Sequence, residues 1–76
     1  MNEELRLLEE LGRVLRRTRE QRGLGLRQMA RGMEISPSHL SELENGKLDN
    51  VSFLMLKKIC DHLDIRISKI LGEIGE

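Results

Sequence analysis

The sequence predicts an all-α fold, and three observations support that prediction. Apolar residues recur at intervals of three and four along most of the chain, which is the spacing of amphipathic helices. The chain contains one Phe and neither Trp nor Tyr, whereas β-sandwiches and barrels favour aromatic and β-branched residues. Seventy-six residues without repeats or a linker can bury only a modest core. We therefore predict five helices in a single domain spanning residues 1–76.

The first helix is predicted over about residues 3–22, a long element for so short a chain. Gly23 ends it, because glycine readily adopts the left-handed conformation that closes a helix. Leu24 and Gly25 then form a tight link to the next helix. The predicted inner face of the first helix comprises Leu5, Leu8, Leu11 or Gly12, Leu15 and Thr18.

The second helix is predicted over about residues 26–33 and turns Leu26, Met29, Ala30 and Met33 to one side. The small Ala30 would let another helix approach closely. Methionines at this spacing fill a core more often than they hold a cofactor. A turn at Glu34 and Ile35 leads to the third helix.

The stretch "ISPSHLSELENGK", residues 35–47, predicts a short third helix with sharply defined ends. Ser36 suits the N-cap and Pro37 the first helical position, and Gly46 suits the closing position. The helix therefore runs from about residue 37 to residue 45. Its apolar residues, Leu40 and Leu43, form one narrow inner stripe, so the remaining side chains are displayed on the outside.

The segment "VSFLMLKKICDHL", residues 51–63, predicts a fourth helix, with Asp49 or Asn50 as its cap and Asp64 at its end. A last short helix is predicted over about residues 67–71, before Gly72. The predicted inner face of the fourth helix comprises Val51, Phe53, Leu56, Ile59, Cys60 and Leu63.

The formal net charge of zero hides a strong segregation. Residues 11–31 carry a net charge of +6, whereas residues 1–10 and residues 32–46 each carry −3. Arginine suits phosphate because its planar guanidinium matches the phosphate oxygens, but arginines on a solvated helix face with i,i+4 ion pairs give the same pattern. Charge alone leaves both interpretations open. The basic residues concerned are Arg13, Arg16, Arg17, Arg19, Arg22, Arg27 and Arg31.

Several functional classes receive no support from the residues. Cys60 is the single cysteine, which excludes an internal disulfide and a cysteine zinc cluster, and His62 has no second ligand at metal spacing. No nucleophile, phosphate-binding glycine loop or pair of acids has a familiar catalytic spacing. No apolar run approaches about 18 residues. We therefore predict no cofactor, no metal, no enzyme activity, no membrane partner and a cytoplasmic location.

Four segments together resemble the phage-repressor, Cro-like helix-turn-helix family, also called the xenobiotic-response-element type. They are "LGRVLRRTREQRGL", "MARGMEIS", "SHLSELENGK" and "LKKICDHLDIRISKIL", and the resemblance covers about residues 11–71. It implies a compact five-helix, lambda-repressor-like domain with an extended first helix and a helix-turn-helix at about residues 26–45. It also implies a transcriptional regulator, expected to be a repressor, whose third helix reads the major groove of double-stranded DNA.

The resemblance assigns roles to individual residues of this chain. It implies base contacts from Pro37, Ser38 and Glu42. It also implies a structural ion pair between Arg19 and Glu44. The implied phosphate contacts come from Arg27, Gln28, His39, Asn45 and Lys47.

Three features depart from the family's pattern. Gly25 and Leu26 stand where the family often has Thr-Gln, and Glu34 replaces the glycine of the turn. The third is the reading surface itself, where Pro37 has no donor and Glu42 can accept a hydrogen bond only from the cytosine amino group and repels phosphate. These departures favour a rival function, a protein-interaction module of the same fold, antitoxin-like or an adaptor, with weak or no DNA binding.

Leu54 and Met55 fall on the outer side of the fourth helix, where the family usually has polar residues. Together with Leu7 or Leu8 they are a candidate dimer face, although isolated exposed apolar residues are common on protein surfaces. The expected partners are therefore double-stranded DNA and a second copy of the chain.

Overall fold

The protein forms five α-helices, described here from a computed structural model that defines residues 3–48 and 51–74. The predicted all-α class is confirmed, since those two ranges contain no strand. The first helix, with 19 residues, is the longest, as predicted. The helices are α1 (Glu3–Gln21), α2 (Leu26–Met33), α3 (Pro37–Glu44), α4 (Phe53–Leu63) and α5 (Ile67–Gly72).

A single apolar core joins the helices. α1 packs against α3 and α5, α2 packs against α3 and α4, and α4 packs against α5. α3 therefore lies between α1 and α2. The most deeply buried large side chains are Leu15, Met29, Met33, Leu40, Ile59, Leu63 and Ile70.

The inner faces differ from the prediction at both long helices. Leu5 is 48% exposed and Phe53 is 66% exposed, although both were predicted to face inward. Burial in α1 begins only at Leu11, and Val14, which the predicted face omitted, is buried. Residue spacing defines the face of a helix, but it does not show how far along the helix its neighbours reach.

Serine side chains cap α3 and α4. The hydroxyl of Ser36 accepts from the His39 backbone N–H at 3.0 Å, and Pro37 occupies the first turn, as predicted. The hydroxyl of Ser52 accepts from the Met55 N–H at 3.0 Å, so α4 begins two residues later than its predicted segment. The predicted caps at positions 49 and 50 lie outside the described residues, and the N-cap of α4 is Ser52.

Two helices end on a residue other than glycine in the left-handed conformation. Glu34 after α2 has φ 60° and Asp64 after α4 has φ 56°. Glu34 keeps its backbone N–H bonded to the carbonyl of Arg31 at 3.1 Å, so the turn forms despite the missing glycine. Within the described ranges, no helix is both long enough and apolar enough to span a bilayer.

Candidate nucleic-acid interface

α3 is held by its two leucines and by a close approach of α1. Leu40 and Leu43 are 1% and 2% exposed, and the half-buried Ile35 packs against the same core from the turn. A Cβ at Gly12 of α1 would lie 2.5 Å from the carbonyl oxygen of Leu43. Only glycine allows this backbone contact, so Gly12 sets how deeply the end of α3 sits against α1.

A buried ion pair fastens the same end of α3. Arg19 donates from Nε to one carboxylate oxygen of Glu44 at 2.7 Å and from Nη2 to the other at 3.1 Å. Arg19 also donates to the carbonyl of Leu24 at 2.7 Å. The hydrogen bond from Glu44 raises the pKa of the Arg19 guanidinium. The contact implied by the resemblance is therefore present, and it joins α1 and the segment between α1 and α2 to α3.

The predicted base-reading residues lie together beside the start of α2. Pro37, Ser38 and Glu42 line an open cleft of about 360 Å³ with Arg27, and all four side chains are exposed. Neither the Arg27 side chain nor the Glu42 side chain has a hydrogen bond or ion pair to another described residue. This cleft, which we call the reading cleft, offers one free cation and one free carboxylate to a ligand.

Two further residues complete the reading cleft. Leu26 and Ser41 line it as well, and neither was predicted to contact DNA. Ser41 follows Ser38 by three positions on the outer side of α3, and that spacing alone was a sufficient signal. Leu26 places an apolar side chain where the family often has glutamine, so it can offer only apolar contact.

The predicted phosphate-contacting residues differ in how free their donors are. The side-chain oxygen of Gln28 accepts from the Gly25 N–H at 3.4 Å, which leaves the amide nitrogen available. Lys47 is exposed and His39 is half-buried. The Asn45 amide nitrogen instead donates to the carbonyl of Ser41 at 2.8 Å and to its hydroxyl at 3.3 Å. The donors of Asn45 are therefore used within α3.

The candidate dimer face lies on α4. Leu54 is 79% exposed, whereas Met55 is half-buried and packs partly against the core. Both line an open depression of about 400 Å³ with Lys57, Lys58 and Asp61. Leu7 and Leu8 of α1 are half-buried.

The side chains of Cys60 and His62 pack against other parts of the fold. Cys60 is 1% exposed, and burial raises the pKa of its thiol. The ring of His62 lies over Gly32 of α2, where an added Cβ would collide with it. Within residues 3–48 and 51–74, no three His, Cys, Asp or Glu side chains come together as metal ligands.

Comparison with known proteins places these features in a family. Residues 10–66 match the family described as "Helix-turn-helix domain". The chain is 37% identical over 68 residues to the transcriptional regulator ClgR of Mycobacterium tuberculosis (strain CDC 1551 / Oshkosh), covering 90% of this chain and 60% of that protein. It is 32% identical over 60 residues to the HTH-type transcriptional regulator SlrR of Bacillus subtilis (strain 168), covering 79% of this chain and 40% of that protein. The chain thus spans 40 to 60% of these relatives.

Solved structures agree in fold over most of the chain. The clp gene regulator ClgR from C. glutamicum superposes with a TM-score of 0.83 at 39% identity, covering 88% of this chain and 86% of that one. The restriction-modification controller protein C.AhdI from Aeromonas hydrophila superposes with a TM-score of 0.77 at 28% identity, covering 83% and 94%. The chain therefore belongs to the phage-repressor, Cro-like helix-turn-helix DNA-binding family.

Proposed function

We propose that this protein regulates transcription by binding double-stranded DNA with α3 in the major groove. The observation that carries the proposal is the reading cleft, in which Arg27 from the start of α2 stands beside Pro37, Ser38 and Glu42 of α3. Helix-turn-helix proteins lay the first helix of the motif, here α2, across the phosphate backbone and place the N-terminal residues of the recognition helix, here α3, at base edges. The cleft supplies both groups.

Phosphate binding is assigned to residues with free donors. Arg27 lacks a partner among the described residues, and Gln28 keeps its amide nitrogen available. His39 and Lys47 are proposed to contact phosphates nearer α3. Such contacts hold a protein in register on the duplex without reading its sequence. Asn45 is proposed to contribute only a weaker contact, since its amide donors are bonded to Ser41.

Base reading is assigned to Ser38 and Glu42, with apolar contact from Pro37. Serine donates to or accepts from several bases, and a carboxylate accepts from the cytosine amino group. Both side chains are exposed on α3, which the Arg19–Glu44 pair and two leucines hold in place. We propose repression as the outcome, since occupying a promoter site excludes other proteins.

A homodimer is proposed as the active form, with Leu54 and Met55 at its interface. Two copies would double the contact with DNA, which a single α3 of eight residues leaves small. No catalytic role, cofactor or metal is proposed. The proposed location is the cytoplasm, and residues 1–76 are proposed to act as one domain.

Binding to random duplexes at several salt concentrations tests the phosphate assignments. Arg27→Ala and Lys47→Ala should each weaken binding to all duplexes alike and lower the slope of log affinity against log salt by about 0.9. The order of preference among sequences should survive. A wild-type protein without salt-dependent affinity would remove the proposal, and the protein-interaction module would replace it.

Selection from random duplexes tests base reading by Glu42. Glu42→Gln removes a charge that repels phosphate and adds a donor suited to adenine. General affinity should rise, and the preferred base should change at one position in each half-site. A wrong base costs about 1 to 3 kcal/mol, which such a selection resolves. An unchanged preference would show that Glu42 does not reach the bases.

A further inference from the structure

A second cleft lies at the other end of α3, on the side of α1. Arg13, Arg16, Glu9, Glu44 and Asn45 line this opening of about 220 Å³. We call it the helix-1 cleft. It joins two arginines of the basic stretch to the last turn of the recognition helix. Neither arginine was predicted to have a role beyond that stretch.

The charges in the helix-1 cleft are not equally available. Both carboxylate oxygens of Glu44 are bonded to Arg19, and its side chain is 4% exposed, so its charge is compensated within the fold. The Arg13 side chain is exposed and has no hydrogen bond or ion pair with another described residue. Two exposed cations therefore line the cleft, Arg13 and Arg16, against the single uncompensated carboxylate of Glu9.

Arg16 is also free to turn toward a ligand. Its ion pair with Glu20 is 3.3 Å long and both side chains are 55% exposed. Exposed i,i+4 pairs of this kind are weak, so a phosphate can replace Glu20. The donors of Asn45 at this end of α3 are bonded to Ser41. Asn45 therefore has no free side-chain donor for a phosphate at this end, whereas the arginines of α1 do.

We propose that Arg13 and Arg16 form a phosphate-binding site on α1, which grips the DNA backbone beyond the C-terminal end of α3. The inference rests on the proposed DNA binding and extends it. Arg27 and Gln28 hold the backbone beside the start of α3, and the helix-1 cleft holds it at the opposite end of the same helix. Guanidinium suits this task because its fork matches two phosphate oxygens at once.

Salt-dependent binding of variants tests the site on any duplex. Arg13→Ala and the double variant Arg13→Ala/Arg16→Ala should lower the salt slope by about 0.9 and 1.8, and each removed contact should weaken binding roughly five- to tenfold at 0.1 M salt. Glu9→Gln should act in the opposite direction, because it removes the one free carboxylate of the cleft. Lys69→Ala, an exposed cation on α5, is the matched control and should leave the slope unchanged.

A positional readout separates contact from general attraction. In a duplex selected by the wild-type protein, single phosphates are replaced in turn by neutral methylphosphonates. Replacement at the contacted phosphate should weaken the wild type and leave the affinity of the double variant unchanged. Equal losses in both proteins at every position would overturn the proposal.

The failures of the two proposals have different signatures. If the wild type keeps a steep salt slope while the double variant behaves like Lys69→Ala, the site on α1 is absent and the proposed function stands. If the wild type shows no salt-dependent binding, the proposed function falls and the site on α1 falls with it. Circular dichroism should show unchanged helicity in each variant, since all the replaced side chains are exposed.

Discussion

Arg19 shows how a single side chain couples the recognition helix to the rest of the fold. Its guanidinium makes two hydrogen bonds to Glu44 and a third to the carbonyl of Leu24. The two charged side chains are 9% and 4% exposed, so water can do little to compensate either charge alone. The pair therefore holds α3 against α1, and removing either residue would leave the other charge buried without a partner.

A double-mutant cycle measures this coupling. Arg19→Met and Glu44→Leu should each lower the free energy of unfolding by about 3 to 5 kcal/mol, because each strands a buried charge. The double variant should lose far less free energy of unfolding than the sum of the two single losses. If a single variant fails to fold, recovery of helicity in the double variant would itself demonstrate the coupling. The exposed Arg16–Glu20 pair serves as a control, with a coupling below about 1 kcal/mol. A coupling near zero at Arg19 and Glu44 would mean that both side chains are solvated.

The buried thiol of Cys60 predicts a loss of stability at alkaline pH. Burial raises the pKa of the thiol in the folded protein, whereas the thiol of the unfolded chain ionises at about pH 8.5. Above that pH the unfolded chain releases a proton that the folded chain retains, so the free energy of unfolding falls as pH rises. Urea denaturation under reducing conditions should show the advantage of wild type over Cys60→Ala shrinking between pH 7 and pH 10. A difference that stays constant with pH would contradict the prediction.

At the scale of elements, the turns after α2 and α4 are held in place by tertiary structure. Glu34 and Asp64 adopt φ of 60° and 56°. This left-handed conformation is readily adopted by Gly, is tolerated by Asn and Asp, and is disfavoured for most other residues. Packing of Met33 and Ile35 on either side of Glu34 fixes the path of the chain. The helix-turn-helix therefore has its family geometry without its usual glycine.

Replacing these residues with glycine tests that strain. Glu34→Gly should raise the free energy of unfolding by about 1 kcal/mol, since the left-handed conformation costs an ordinary L-residue about 1 to 2 kcal/mol and glycine nothing. Asp64→Gly should gain less, because aspartate tolerates this region better than glutamate. Thermal and urea unfolding measure both changes. Destabilisation by both variants would mean that the lost chain entropy outweighs the strain.

At the scale of the whole molecule, the exposed apolar residues remain to be assigned a partner. Leu54 is 79% exposed and Phe53 is 66% exposed on neighbouring positions of α4. Lys57 and Asp61 flank the depression beside Leu54 and pair with each other at 2.8 Å. A face with an apolar centre and both signs of charge at its edge can match a second copy of itself, as a two-fold interface requires.

Assembly in solution tests the dimer face. We expect a dimer at micromolar concentration, and Leu54→Glu or Met55→Glu should shift it to monomer because a charge would be buried at the interface. Light scattering measures the molar mass, and circular dichroism checks that helicity is kept. Leu71→Glu, at a leucine of α5 that is 48% exposed, is the matched control. A wild-type monomer at high concentration would remove the dimer proposal.

The sequence by itself determined the five helices and most of their ends, because those depend on local chemistry. Ser36, Pro37 and Gly46 bound α3 through hydrogen bonds and backbone preferences within a few residues. The resemblance added the Arg19–Glu44 contact. Only the tertiary structure decided which residues of a helical face are buried, because burial depends on where neighbouring helices end, as Leu5 and Phe53 show. It also decided which donors remain free, since the engagement of Asn45 and the freedom of Arg13 depend on side-chain contacts that spacing alone does not specify.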